Sequence, residues 1–373
     1  MEHEKFLKEA LKLAKRGEGL VSPNPLVGAL VVKGKQVIGR GWHQAYGLAH
    51  AEVEALKQAG AKAKGATLYV TLEPCCHYGK TPPCVQAIVD AGIKEVICCL
   101  QDPNPLVNGK GFEFLEKKGI KVRKGYLEKE ATRLNEAYLI AVKHRRPYII
   151  LKWAMSLDGK IATCAGDSCW ITTEETRHWV RSFRFTCDAI LVGVNTIIRD
   201  DPFLDYQLPR FQTRRSLLER KRYTKVILDT RLQTPCCARI FSHSASRVII
   251  FTSHLAPEEK VRQFTQANCS VFKVSSDREF LNLEEVCKYL WSEKIAIVLV
   301  EGGQKVLSCF WEKRLVDRVM IFVGNKFIAG THSLSPLSVP DRENLNPAPF
   351  LEELSVKRFG DDLLIEGYPC FPE

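Results

Sequence analysis

The chain has 373 residues, a formal net charge of +11 and 45% hydrophobic residues. That length is too great for one ordinary domain and points to two. No apolar run reaches the roughly 20 residues that a membrane span needs, and the acid-bearing start Met1-Glu2-His3-Glu4-Lys5 does not read as a signal peptide.

Fourteen cysteines are scattered through apolar, strand-like runs (Cys98, Cys99, Cys187, Cys287). That is not the disulfide framework of a short secreted chain, so the expected compartment is the reducing cytoplasm. The positive charge suits a partner carrying phosphate: nucleic acid, nucleotide or cofactor. Its one dense cluster, Arg210, Arg214, Arg215, Arg220, Lys221 and Arg222, lacks apolar periodicity and reads as a solvated loop.

In chain order, residues 4–16 carry a helical apolar stripe (Phe6, Leu7, Ala10, Leu11, Leu13, Ala14). Residues 29–32 and 36–41 flank Lys33-Gly34-Lys35 as a hairpin with a three-residue loop. Residues 50–61 read as a helix and 67–71 as a strand. Pro82-Pro83 opens a helix to about Ala91, because proline suits a first turn. A strand over 95–100 and the turn Asp102-Pro103-Asn104-Pro105 follow. Then come a helix (112–118), a short strand (121–125) and a helix (131–143). The junction falls at His144-Arg145-Arg146-Pro147, dividing the chain into 1–145 and 146–373. Beyond it, residues 148–154, 186–193, 225–229, 246–252, 296–300 and 318–323 read as buried strands. Both domains are expected to be α/β.

The chemistry concentrates in His50-Ala51-Glu52, Pro74-Cys75 and Cys84. One imidazole and two thiolates can hold zinc as three protein ligands, leaving a position open for water. Bound zinc brings that water near a pKa of about 7. H-x-E followed by P-C…C, with the glutamate as proton carrier, is the signature of zinc deaminases acting on nucleobases. Cys75 follows a strand and Cys84 begins a helix, whose positive end favours a thiolate. Cys76 and His77 compete as ligands. If Cys75 points inward its neighbour Cys76 points away, and His77 reads as a loop residue near the substrate. The expected set is one zinc ion on His50, Cys75 and Cys84, with Glu52 catalytic. A structural zinc would instead be closed by four protein ligands.

A set of motifs then occurs in order: Ser22-Pro23-Asn24-Pro25, Gly39-x-Gly41-x-His43, His50-Ala51-Glu52, Thr71-Leu72-Glu73-Pro74-Cys75, Gly79-x-Thr81-Pro82-Pro83-Cys84 and Asp102-Pro103-Asn104-Pro105-x-Val107-x-Gly109-x-Gly111. Together they resemble the bifunctional riboflavin-biosynthesis deaminase–reductases, in which a C-x8-C loop replaces the shorter C-x2-C of other deaminases. The resemblance implies a cytidine-deaminase-like α/β/α first domain. It would deaminate a diaminopyrimidinone carrying a ribosylamino 5-phosphate, with Asn24, His43, Asp102 and Asn104 holding the substrate. On the residues alone, Asn24, Asp102 and Asn104 would be turn-formers.

The second half has no G-x-G-x-x-G, so a Rossmann fingerprint is missing. A predicted strand runs into Glu301-Gly302-Gly303, where backbone amides could approach a phosphate, though a plain tight turn explains that as well. Lys152–Ala162, Trp170-Ile171-Thr172, Asp188–Thr196, Asp200-Asp201-Pro202, Leu228-Asp229-Thr230 and the ending Gly360–Tyr368 resemble the reductase half of the same family. This implies a dihydrofolate-reductase-like α/β domain that uses NADPH to reduce the ribosyl chain to ribityl. Ala154, Trp170, Thr196, Asp200, Thr230 and Gly303 would meet NADPH, and Arg231 would face its 2′-phosphate. Ser168, Arg184, Leu204 and Glu301 would meet substrate. Lys152 and Asp200 are candidates for proton movement, with Lys152 snorkelling to solvent as the plain reading.

Two positions depart from the family pattern. Gln207 stands where an arginine is expected, with Arg210 a substitute, and Val323-Gly324 stands where Ala-Pro is expected. The expected partner is a phosphorylated pyrimidine, without nucleic acid or membrane, and a homodimer is plausible from apolar strands. The rival reading is a nucleoside or nucleic-acid base deaminase with an inactive second domain. It would need aromatic platforms along a strand channel, and no aromatic–basic interleaving is present.

Overall fold

The computed structural model describes residues 2–208, 215–242, 246–266, 269–277, 279–341 and 343–372. Two compact units emerge, one built up to Arg146 together with the short segment around Leu217, the other from Pro147 onward.

In the first unit the strands are β1 (Gly28–Lys33), β2 (Gln36–Trp42), β3 (Thr67–Leu72), β4 (Glu95–Leu100) and β5 (Lys121–Arg123). They form one sheet in the order β2-β1-β3-β4-β5. β1 is antiparallel to both neighbours, whereas β3, β4 and β5 run parallel. The helices are α1 (Glu2–Ala14), α2 (Ala51–Ala59), α3 (Cys84–Asp90), α4 (Lys110–Lys117), α5 (Glu128–Leu134) and α6 (Glu136–His144). Alternate residues of β1 sort into two cores, as strand period dictates. Ala29 and Val31 meet α2, α3 and α4, and Leu30 and Val32 meet α1. The layers are therefore α/β/α.

Glycines set how closely helix and sheet approach. A Cβ on Gly39 or Gly41 would stand 2.1 Å from the carbonyl oxygen of Ala55 or Ala51. The spacing G-x-G thus lays α2 directly on the backbone of β2.

Three local expectations are corrected. Lys33 pairs with Gln36, so the hairpin loop is the two residues Gly34-Lys35, with Gly34 at φ +62, as tight hairpin turns require. Pro83 is the N-cap of α3 rather than its first helical residue. The helix expected over 131–143 breaks at Asn135 (φ −109, ψ 16). There the side-chain amide accepts from Leu26 N at 2.8 Å and donates to Leu26 O at 3.0 Å.

In the second unit the strands are β6 (Tyr148–Met155), β7 (Ala189–Gly193), β8 (Thr224–Leu228), β9 (Arg247–Thr252), β10 (Cys269–Lys273), β11 (Ser276–Asp277), β12 (Phe280–Leu281), β13 (Ile297–Val300), β14 (Arg318–Val323), β15 (Phe350–Phe359) and β16 (Asp362–Cys370). β11 and β12 make a small ribbon. The other nine form one sheet in the order β10-β9-β8-β7-β13-β6-β14-β16-β15. It is parallel from β10 to β14, and β16 and β15 close it antiparallel. Its helices are α7 (Glu174–Arg184), α8 (Val194–Asp200), α10 (Glu258–Gln266), α11 (Leu283–Ser292) and α12 (Gln304–Glu312), while α9 (Arg215–Leu218) groups with the first unit. α11 and α12 cover one face and α8 and α10 the other.

The strand expected from Thr186 starts at Ala189, because Thr186 and Cys187 donate back to Phe183 O and Arg184 O and close α7. Among the described residues, no helix is long and apolar enough to cross a membrane.

Candidate active sites

In the first unit, α2 and α3 begin side by side and each presents a residue able to ligate a metal. His50 is the N-cap of α2 and Cys84 the first residue of α3. Cys75 lies just past the end of β3. His50 Nδ1 is 3.2 Å from Cys84 Sγ and 3.4 Å from Cys75 Sγ. The three ligand atoms lie within 4.8 Å of one another, and this is the one such His/Cys/Asp/Glu group among the described residues. The Cys84 thiol donates to Cys75, and this contact outweighs burial to pull Cys75 down to about 4. The donor set, one imidazole nitrogen and two sulfurs with one held as thiolate, fits zinc. Cys76 turns away toward Leu106 O at 3.6 Å, and neither it nor His77 joins the cluster.

Glu52, in the first turn of α2, is buried, and its Oε2 has no hydrogen-bond partner among the described residues. Burial pushes its carboxyl up to about 7, against the pull of His50. A carboxyl poised near neutrality can both take and return a proton.

Beside it, Asn24 and His43 form a pair. Asn24 Nδ2 donates to His43 Nε2 at 3.2 Å, and His43 Nδ1 donates to Ala49 O at 3.1 Å. Burial lowers His43 to about 4, so the ring is neutral and these contacts set its tautomer. His43 stands edge-on to His50, ring centroids 5.2 Å apart.

Asp102 is buried, accepts from Tyr138 Oη at 3.0 and 3.1 Å and from Asn104 N at 2.9 Å, and is pushed up by burial to about 6. Asn104 Oδ1 accepts from Leu106 N at 3.1 Å. Both Asp102 and Asn104 therefore make turn bonds, as their residue types suggest. Asp102 and Tyr138 also lie within electrostatic reach of Cys75.

Sequence reasoning missed what holds this loop. Buried Glu73 accepts from the backbone N–H groups of Asp102, Gly109, Gly111 and Phe112. A Cβ on Gly111 would stand 2.2 Å from Pro74 O. A carboxylate next to Pro74-Cys75 and glycines two apart were the visible signals.

In the second unit the carboxyl ends of the parallel strands open into a cleft of about 1610 Å³, where open α/β sheets bind ligands. Ala154, Trp170, Thr196, Asp200, Thr230, Gly303, Ser168, Arg184, Leu204, Glu301, Lys152 and Arg231 all line it. α8 and α12 start at its wall with Gly193 and Gly303 as N-caps, neither helix capped by a side chain. No atom lies within 4 Å of a Cβ built on Gly303. Two helix N-termini uncapped by side chains, with open space at Gly303, suit a pyrophosphate-bearing dinucleotide.

Glu301, mostly shielded from solvent, binds Arg184 bidentately, at 2.7 Å from Nε and 3.0 Å from Nη2. Lys152 Nζ lies 3.3 Å away and 5.6 Å from the Phe322 ring centroid. Lys152 thus points into an ion-pair cluster, and the solvent-snorkelling reading is corrected. Burial would push Glu301 up, but Arg184 and Lys152 hold it at about 2. Arg184 also donates from Nη1 to Asp205 O at 3.0 Å. Thr230 Oγ1 donates to Glu279 O at 2.9 Å.

Gln207 does not line the cleft; its side-chain oxygen meets His178 Nδ1 at 3.0 Å. Arg210 and Arg214 lie outside the described residues. Gly324 N donates to Met155 O at 2.8 Å, and a Cβ there would meet Ile171 O at 2.2 Å. Proline could not replace it without losing that bond and clashing.

Residues 147–365 match the family model for the RibD C-terminal domain, and residues 1–100 match that for the cytidine and deoxycytidylate deaminase zinc-binding region. The riboflavin biosynthesis protein RibD of Bacillus amyloliquefaciens is 41% identical over 98% of this chain and 96% of its own. That of Aquifex aeolicus is 40% identical over 96% of each. Among solved structures, Acinetobacter baumannii RibD superposes with a TM-score of 0.89 at 34% identity. A Thermotoga maritima diaminohydroxyphosphoribosylaminopyrimidine deaminase/5-amino-6-(5-phosphoribosylamino)uracil reductase superposes with 0.81 at 37%. Each comparison covers 99% of both chains.

Proposed function

The chain belongs to the RibD family of bifunctional riboflavin-biosynthesis enzymes, a deaminase joined to a reductase, and from that premise we propose its substrates, cofactors and residue roles. Residues 1–145 form the deaminase domain and 146–373 the reductase domain. The first removes the ring amine of 2,5-diamino-6-ribosylamino-4(3H)-pyrimidinone 5′-phosphate. The second reduces the ribosyl chain of the product to ribityl.

His50, Cys75 and Cys84 would hold one zinc ion. When bound it supplies Lewis acidity that makes hydroxide available near neutral pH. Glu52 Oε2, buried and without a partner among the described residues, takes one proton of the attacking water and passes it to the ring nitrogen, then carries the second proton of that water to the leaving amine, which departs as ammonia. The neutral His43–Asn24 pair and the Asp102–Tyr138 pair hold the pyrimidine ring in plane. The observation that carries this half is the buried Glu52 carboxyl, its Oε2 without a partner among the described residues, beside the His-Cys-Cys cluster.

In the second unit NADPH supplies the hydride. The first turns of α8 and α12 would meet its pyrophosphate, with Ala154, Trp170, Thr196 and Asp200 along its length and Thr230 and Arg231 at the adenosine end. Ser168, Arg184, Leu204 and Glu301 shape the substrate end. There Arg184 acts through its locked pair with Glu301, orienting the wall, and Lys152 Nζ is the cation nearest that pair. Asp200 and Lys152 are the residues proposed to move the proton. Edge strand β15, with Phe350, Leu354 and Val356 exposed, supports self-association as a homodimer.

The test separates the two activities. Glu52→Gln should abolish ammonia release from the diaminopyrimidine phosphate, yet still oxidise NADPH when given the deaminated compound. Retained ammonia release in Glu52→Gln contradicts the assignment.

A further inference from the structure

The wall of the reductase cleft carries more positive charge than its own residues neutralise. α7 places Arg177, Arg181 and Arg184 at spacings of four and three, on one helical face, and all three line the cleft. The outer two are committed. Arg177 donates to Thr172 O at 2.6 Å and lies 4.2 Å from the Trp170 ring centroid. Arg184 is paired with Glu301 and bonded to Asp205 O. The guanidinium of Arg181, between them, has no hydrogen-bond, ion-pair or ring partner among the described residues, and Arg181 lines the cleft.

Its backbone places it beside the position that departs from the family pattern. Gln207 N donates to Arg181 O at 2.9 Å, so the two residues adjoin, and Gln207 turns its own amide to His178. The two positions thus adjoin through their backbones, and of the two only Arg181 lines the cleft. The far end of the cleft, at Thr230 and Arg231, lies beyond β8. Lys152 and Arg184 share one carboxylate, so the cluster next to Arg181 already holds a net positive charge before it is counted.

We propose that Arg181 is the residue of this chain that receives the 5-phosphate of the reductase substrate, in place of the arginine missing at position 207. The proposal rests on the reductase reading given above. Guanidinium is suited to phosphate because its planar fork gives paired hydrogen bonds to two oxygens. The plain alternative is a basic residue in the last turn of α7 that complements the helix dipole. Such a residue would not distinguish phosphorylated from unphosphorylated ligands.

The experiment uses the full-length enzyme, the deaminated ribosylaminouracil 5-phosphate and its dephosphorylated counterpart, the latter measured as substrate and as competitive inhibitor. Arg181→Ala should raise KM for the phosphorylated compound roughly tenfold, as expected for one charge-assisted contact. It should leave KM for NADPH and the inhibition constant of the dephosphorylated compound within about twofold, and Arg181→Lys should recover part of the loss. An equal loss with both compounds, a loss in NADPH affinity instead, or no loss overturns the proposal while the reductase reading stands. A parent enzyme that reduces neither compound overturns both.

Discussion

Ligand choice at the proposed zinc site comes down to which of two adjacent thiols faces inward. Cys75 faces His50 and Cys84, and Cys76 faces Leu106 O. Cys76→Ser should therefore retain about one zinc ion per chain by elemental analysis, and Cys75→Ser should lose it. The reverse pattern would exchange their roles. A second residue-scale expectation concerns Glu301. Its pKa falls from an ordinary value of 4.5 to about 2, so the folded state holds the carboxylate more strongly than the unfolded chain does. The stabilisation is fully present above pH 4.5 and is lost as pH falls toward 2. It is on the order of 3 kcal/mol. Urea unfolding followed by tryptophan fluorescence should show the parent losing stability across that window. Glu301→Gln, which already lacks the ion pair at neutral pH, should show a flatter dependence. Parallel curves would contradict the network. Because the pair is buried, losing one partner at neutral pH should cost several kcal/mol.

At the scale of elements, the site depends on how closely α2 lies on β2. Gly41→Ala sets a methyl group 2.1 Å from Ala51 O, one residue from His50. The helix must move or tilt, and overpacking of this kind typically costs about 1–3 kcal/mol. The expected result is a lower unfolding midpoint together with weaker zinc retention against a chelator. Lowered stability with zinc retention unchanged would show that α2 absorbs the strain without moving its first turn. The same scale shows what could be read in the chain. The His-Cys-Cys cluster and the neighbouring Glu52 were legible because such chemistry demands fixed residue types at short spacings. The β/α alternation was legible because buried parallel strands are continuous apolar runs. The break at Asn135 was not, because it exists to serve Leu26, 109 residues earlier. Glu73 was hidden within a motif whose cysteine drew the attention, and its partners come from a loop 29 to 39 residues away. β15 was missed because it closes the sheet edge with exposed alternate residues, a weaker pattern than a buried run.

At the scale of the whole molecule, the two activities are linked by chemistry: the product of the first is the substrate of the second. Residues 1–100 match the zinc-binding deaminase region and 147–365 the reductase domain. Every reductase position carried over from the family resemblance lines a single cleft, although they come from strands and loops spread over 150 residues of sequence. Local spacing could not have shown this, and only the parallel sheet brings them together. The order of reactions follows. The purified enzyme, given the diaminopyrimidine ribosyl phosphate with and without NADPH, should release ammonia at the same rate in both cases. It should oxidise NADPH only after deamination, one equivalent per ammonia released. NADPH oxidation that precedes ammonia release, or ammonia release with no oxidation at all, would contradict the account.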